Sequence, residues 1–230
     1  ALVGGAVGAG TLLATADRRS GDTAEADRSI DAAANERVVQ ALNGRGHVNL
    51  ASYYRKVLIT GEVPNAQDKQ LVEAQVRAVP GVQGVYNELA VMPNSGPVDR
   101  SNDAYITSKV RSRLVGTNGV PAGSIRVVTE RGTTYLMGRL TAQEMALATD
   151  VAAGTDGVQR VVRIIDVTAE LAAGQGGTAV GSGLASEAPA QAQQVTASES
   201  VPGVVTTPVT QPTIVNAPKP IEVQTLPPVK

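Results

Sequence analysis

Two stretches of the chain repeat one another: VLITGEVPNAQDKQLVEAQVRAVPGVQGVYNEL at 57–89 and TYLMGRLTAQEMALATDVAAGTDGVQRVVRII at 134–165. Gly61 corresponds to Gly138 at an offset of 77 and Gly81 to Gly157 at 76, so one position is lost between them. Self-similarity of this kind means that one small structural unit is used twice, with any specialised function lying where the copies differ. Each copy spans roughly 60 to 65 residues, a size at which a single core is only just sufficient. The chain has five Tyr and neither Phe nor Trp, so Val, Leu, Ile and Ala must fill both cores.

Periodicity supplies the elements. In DAAANERVVQAL at 31–42, Ala34, Val38 and Leu42 recur every four residues and Val39 broadens the stripe. This predicts a helix capped by Asp31 and ended by Asn43-Gly44. HVNLASYYRKVLITGEV alternates with period two through Val48, Leu50 and Ser52, then Val57, Ile59 and Gly61, predicting two strands joined around Tyr54–Lys56. PNAQDKQLVEAQVRAV predicts a second helix capped by Asn65, with Leu71, Val72, Ala74, Val76 and Val79 facing inward, and VQGVYNELAV at 82–91 a last strand. The second copy repeats this order. Its first helix, SNDAYITSKVRSRLVG, places Ile106, Val110 and Leu114 against Ala34, Val38 and Leu42 at an offset of 72, which leaves five additional residues within TNGVPAG at 117–123. SIRVVTERGTTYLMGRL supplies a hairpin turning at Arg131-Gly132, TAQEMALATDVAAGT a helix and GVQRVVRIIDV the final strand. The fold class is α/β in the α+β sense: tandem two-layer sandwiches, each helix-strand-strand-helix-strand, followed by a disordered C-terminal tail.

The resulting division is an apolar leader and linker at 1–30, a first domain at 31–91, a linker at 92–102, a second domain at 103–168 and a low-complexity tail at 169–230. Eight of the thirteen prolines lie beyond residue 188, so the tail reads as disordered or extended, a spacer or docking segment. Residues 1–16 are uncharged and apolar, yet as a helix they would span about 24 Å against a hydrocarbon core of about 30 Å. They fit a segment just after a removed export signal, and equally a Gly/Ala leader of no special role.

Several function classes are excluded. Twenty basic and 21 acidic side chains are too balanced for generic nucleic-acid binding. With no Cys, disulfides, thiolate nucleophiles and Cys-based zinc sites are absent, and His47, the single histidine, cannot build a multi-histidine centre. No metal or cofactor is therefore expected, and His47 reads as a surface or packed residue. Neither GxxxxGK[ST] nor GxGxxG occurs, and no nucleophile, base and orienting group share a workable spacing. Gly61 and Gly138 read as strand ends, Gly81 and Gly157 as glycines just past helices. Tyr53, Tyr54 and Tyr86 read as a rim of the first sheet or a protein-contact patch.

The stretches KVLITGEVPNA, GVYNEL, SNDAYITSKVRSRL and VTERGTTYLMGRLT resemble the BON domain family, and within it the dual-BON outer-membrane lipoproteins of Gram-negative bacteria, over about residues 17–168. Asp31, Gly61, Gly81, Val82, Val85 and Asn87 match the family pattern in the first copy. Asp103, Gly138, Gly157, Val158 and Val161 match it in the second, where Arg163 replaces the Asn. The resemblance implies binding rather than catalysis. It implies recognition of anionic phospholipid by the first helix of the second domain and by an aromatic residue near that helix's start, here Tyr105 where such a lipoprotein has Trp. It also implies a periplasmic protein attached to the outer membrane and supporting its integrity, either through a lipidated Cys just upstream of Ala1 or, without one, as a soluble periplasmic homologue.

Helix geometry points to the same surface. With Ile106, Val110 and Leu114 on the core side, Lys109 lies about 40°, Ser112 about 20° and Arg113 about 80° from Tyr105 around the axis. Tyr105, Lys109, Ser112 and Arg113 thus form an outward face on which a ring could sit at a headgroup layer beside cations. Residues 103–168 hold eight Lys/Arg against six Asp/Glu, whereas residues 31–91 hold six of each. On this alignment the first copy has Ala33, Arg37 and Ala41 where the second has Tyr105, Lys109 and Arg113. The expected partner is anionic phospholipid. The alternative is an envelope protein partner, or self-association, engaged through the first domain and the tail.

Overall fold

The computed structural model describes residues 16–169 and 221–229. The first domain comprises α1 (Gly21–Leu42), β1 (His47–Tyr53), β2 (Lys56–Val63), α2 (Ala66–Arg77), β3 (Gly84–Asn87) and β4 (Ala90–Val91). The second comprises α3 (Pro97–Val115), a single 3-10 turn at Ala122–Ser124, β5 (Ile125–Glu130), β6 (Thr133–Leu140), α4 (Ala142–Ala153) and β7 (Arg160–Val167). The mixed α/β class and the repeated order follow the expectation. Each sheet pairs its hairpin antiparallel and its last strand parallel to the second strand of that hairpin.

Alternation along the strands gives each sheet two apolar faces. On β2, Val57, Ile59 and Val63 join Ile30, Val38, Val72 and Val76 in a helix-side core. Leu136 and Leu140 on β6 do the same with Ile106, Val110 and Leu114. The opposite faces do not meet water. Ala51, Tyr53, Leu58 and Tyr86 of the first sheet pack on Tyr135, Met137, Val162 and Ile164 of the second, giving the order helices, sheet, sheet, helices. Tyr53 and Tyr86, expected as a rim, are buried at this seam, so the surface they contact is the other copy.

The helices extend further than periodicity suggested. Ser20, not Asp31, caps α1, its side chain accepting from the Thr23 N–H, while Asn43 closes the other end in the left-handed region. Pro97 opens α3 inside the segment read as linker, where its missing N–H costs nothing. Ala74 of α2 is exposed rather than inward.

The copies also align differently. The Asp27 carboxylate accepts from the backbone N–H groups of Tyr54 and Arg55, and Asp103 from those of Arg131 and Gly132, in the two hairpin turns. Ile30 lies against Gly81, and Ile106 against Gly157. The first helices therefore correspond at an offset of 76, one turn from the 72 inferred by periodicity. The hairpins correspond at 77, so a single residue is inserted between them rather than five. Tyr105, Lys109 and Arg113 then face Ser29, Ala33 and Arg37.

Gly61 and Gly138 lie inside β2 and β6, not at strand ends. Gly81 and Gly157 sit in left-handed turns three residues past Ala78 and Gly154, the caps of α2 and α4. The tail also departs from expectation. Residues 170–220 lie outside those described, but β8 (Glu222–Thr225) pairs parallel with β7, and Leu226 and Val229 pack on the seam.

Candidate functional site

Along α3, Ile106, Val110 and Leu114 are buried, as the spacing required. Tyr105 on the opposite side is 62% exposed. Lys109 is half-buried: its Nζ lies 4.8 Å from the centre of the Tyr105 ring and donates to the Asp156 carbonyl at 2.5 Å. Arg113 donates to the Gly154 carbonyl and, at 3.2 Å, to the Thr155 hydroxyl. Both cations are held at the C-terminal end of α4, where exposed carbonyls favour positive charge. Ser112 is exposed beside them. Tyr105, Lys109, Ser112 and Arg113 therefore share one side of the helix, with the two cations held in place rather than free in solvent. Val98, in the part of α3 the sequence reading assigned to the linker, is 81% exposed.

A second polar feature crosses the seam. His47 opens β1 opposite Glu62 of β2, while Glu130 ends β5 of the other sheet. Glu62 is fully buried and Glu130 2% exposed. Arg131 donates to Glu62 Oε1 at 2.8 Å and to the Gly61 carbonyl at 2.9 Å; Ser95 donates to Glu62 Oε2 from both its N–H and its hydroxyl. Burial pushes the Glu62 carboxyl up, but these donors outweigh it and hold it below its ordinary value. Burial raises Glu130, against the single hydrogen bond from Asn49 at 2.8 Å and with the charge of Glu62 adding to the rise. Lys56 reaches Asp166 at 2.6 Å, and the Tyr53 hydroxyl donates to the Ser124 carbonyl. At the chain's start, Arg18 bonds Ser124 through its N–H and Glu144 through its guanidinium, tying the segment before α1 to the second domain.

The sequence profile of the BON domain matches residues 27–93 and 102–169, two units that coincide with the two sandwiches. The chain belongs to the BON domain family. It is 31% identical over 166 residues to the outer membrane lipoprotein DolP of Haemophilus influenzae, covering 71% of this chain and 85% of that protein. It is 29% identical over 125 residues to the 21 kDa hemolysin of Actinobacillus pleuropneumoniae, covering 54% of this chain and 64% of that one. The first BON match begins at Asp27, the residue whose carboxylate holds the first hairpin turn. That agrees with the alignment of Asp27, not Asp31, with Asp103. The seam cluster of His47, Glu62 and Glu130 escaped sequence reasoning, because its third member comes from the other BON domain. Only the pairing of His47 with Glu62 could have been read from the hairpin register. No helix among the described residues is long and apolar enough to cross a membrane.

Proposed function

We propose that this is a non-catalytic protein of the cell envelope that binds anionic phospholipid surfaces through α3 of its second BON domain and supports outer-membrane integrity. The exposed Tyr105 ring, with Lys109 and Arg113 pinned beside it, is the observation that carries the reading. A half-polar ring suits the headgroup level, and the held cations lose little freedom on meeting phosphate. Helix α3 contains no acid after Asp103, so the charges it carries beside Tyr105 are the cations Lys109 and Arg113. The first domain has Ser29, Ala33, Glu36 and Arg37 at the corresponding positions, with no aromatic ring. Similarity to an outer membrane lipoprotein supports placing the protein in the periplasm at the outer membrane. Each cation near an anionic surface contributes on the order of 1 kcal/mol, so binding is reversible and salt-sensitive, and a second attachment would strengthen it.

The expected result is cosedimentation with phosphatidylglycerol vesicles but not with phosphatidylcholine vesicles, diminished at high salt. Combining Tyr105→Ala with Lys109→Gln and Arg113→Gln should lower the bound fraction at least tenfold. Equal pelleting with both lipids would refute lipid selectivity, and undiminished binding of the folded triple variant would refute this face.

The rival reading, a protein-interaction or assembly module using the first domain and tail, retains one support: β8 shows that the end of the chain can add a strand to a sheet edge. The first domain's Tyr53 and Tyr86 no longer favour it, since both are spent on the second domain.

A further inference from the structure

We propose that His47, Glu62 and Glu130 form a binding site for one divalent transition-metal ion of the zinc type, clamping the two BON domains across their seam. One ligating atom from each residue lies within 4.8 Å of the others. His47 Nδ1 is buried and has no hydrogen-bond partner among the described residues, and it faces Glu62 Oε2 at 3.5 Å. That separation is too wide and poorly aligned for a hydrogen bond. It matches two ligands on one tetrahedral ion, which sit about 3.4 Å apart for bonds of about 2.1 Å.

The surroundings are those of a held ligand set. Ser95 and Arg131 orient Glu62, and Asn49 orients Glu130 through Oε2. Charge also favours a cation. Two carboxylates are withdrawn from water at one point, and Arg131 pairs with only one of them. A divalent ion would neutralise the excess that Arg131 leaves at Glu130. One imidazole and two carboxylates suit zinc and its neighbours, whereas magnesium and calcium prefer all-oxygen sets. Since β1 and β2 supply two ligands and β5 the third, binding would join the sheets. The ligands must be a neutral imidazole and ionised carboxylates, so affinity should weaken as the pH is lowered.

The test uses the full chain, stripped of metal with a chelator and titrated with zinc chloride, with magnesium chloride as the comparison. His47 is the single histidine, so its ring protons report the site directly. Zinc should shift those resonances to saturation at one equivalent and raise the Tm, while magnesium does neither. His47→Ala and Glu130→Gln, each checked for native circular dichroism, should weaken zinc binding at least tenfold. Unmoved His47 resonances and Tm in the unsubstituted chain would overturn the proposal, and so would wild-type zinc affinity in both folded variants.

Discussion

Replacing Asp27 with alanine is expected to destabilise the first domain by about 3–5 kcal/mol, a large part of the stability of a unit this small. The side chain is 2% exposed and accepts from Tyr54 N–H at 2.9 Å, Arg55 N–H at 2.7 Å and the Ser52 hydroxyl at 3.1 Å, and it pairs with Arg19 at 2.7 Å. Alanine would leave a turn with two left-handed residues, Tyr54 and Arg55, stripped of its acceptors, the buried Ser52 hydroxyl without its acceptor, and the Arg19 guanidinium with Asp17 as its remaining carboxylate. Asp103→Ala removes the equivalent acceptor for Arg131 and Gly132 but breaks no ion pair among the described residues, so about 2–3 kcal/mol should be lost. Urea titration of both variants checks the order. A smaller loss at Asp27 than at Asp103 would contradict it.

Gly61→Ala is the second large effect, expected at about 2–4 kcal/mol. Gly61 has φ +114° in the middle of β2, and a Cβ there would overlap the carbonyl oxygen of His47 on the paired strand. Strand β1 would have to move, and with it the seam hydrogen bond from Asn49 to Glu130. Gly138 is its sequence counterpart without its backbone. It has no positive φ, and a Cβ would stand 3.1 Å from the Ser124 carbonyl, a tight fit that a small shift relieves. Gly138→Ala should therefore cost about 1 kcal/mol or less, and comparing the Tm of the two variants separates a required glycine from a tolerated one.

Those two pairs show what was legible in the sequence. The core stripe of α3 was plain, because Ile106, Val110 and Leu114 fit only one helical face. Register between the copies was not, because a stripe repeating every four residues looks the same after a shift of one turn. Ala34, Val38 and Leu42 therefore matched as well as Ile30, Ala34 and Val38. The tie is broken by Asp27, whose partner is a turn more than twenty residues away and invisible to local periodicity. The candidate lipid face was readable as an angle around a helix. The anchoring of Lys109 and Arg113 was not, since both reach backbone carbonyls, of Asp156 and Gly154, which carry no residue signature. The seam was hidden for a similar reason: alternating apolar residues on both faces of β2 and β6 announce two buried faces without saying what covers the second. In β8, four residues of IEVQT beside a Pro-Pro pair are too short to stand out from the tail.

The chain contains no Trp, so Tyr105→Trp places a single tryptophan at the proposed contact, excited selectively at wavelengths where the four remaining tyrosines do not absorb. On addition of phosphatidylglycerol vesicles, its emission should shift to the blue and become protected from an aqueous quencher. Phosphatidylcholine vesicles should leave it unchanged, as should high salt added with the anionic lipid. An emission maximum and quenching that stay at their solvent-exposed values with anionic vesicles at low salt would contradict membrane recognition through α3.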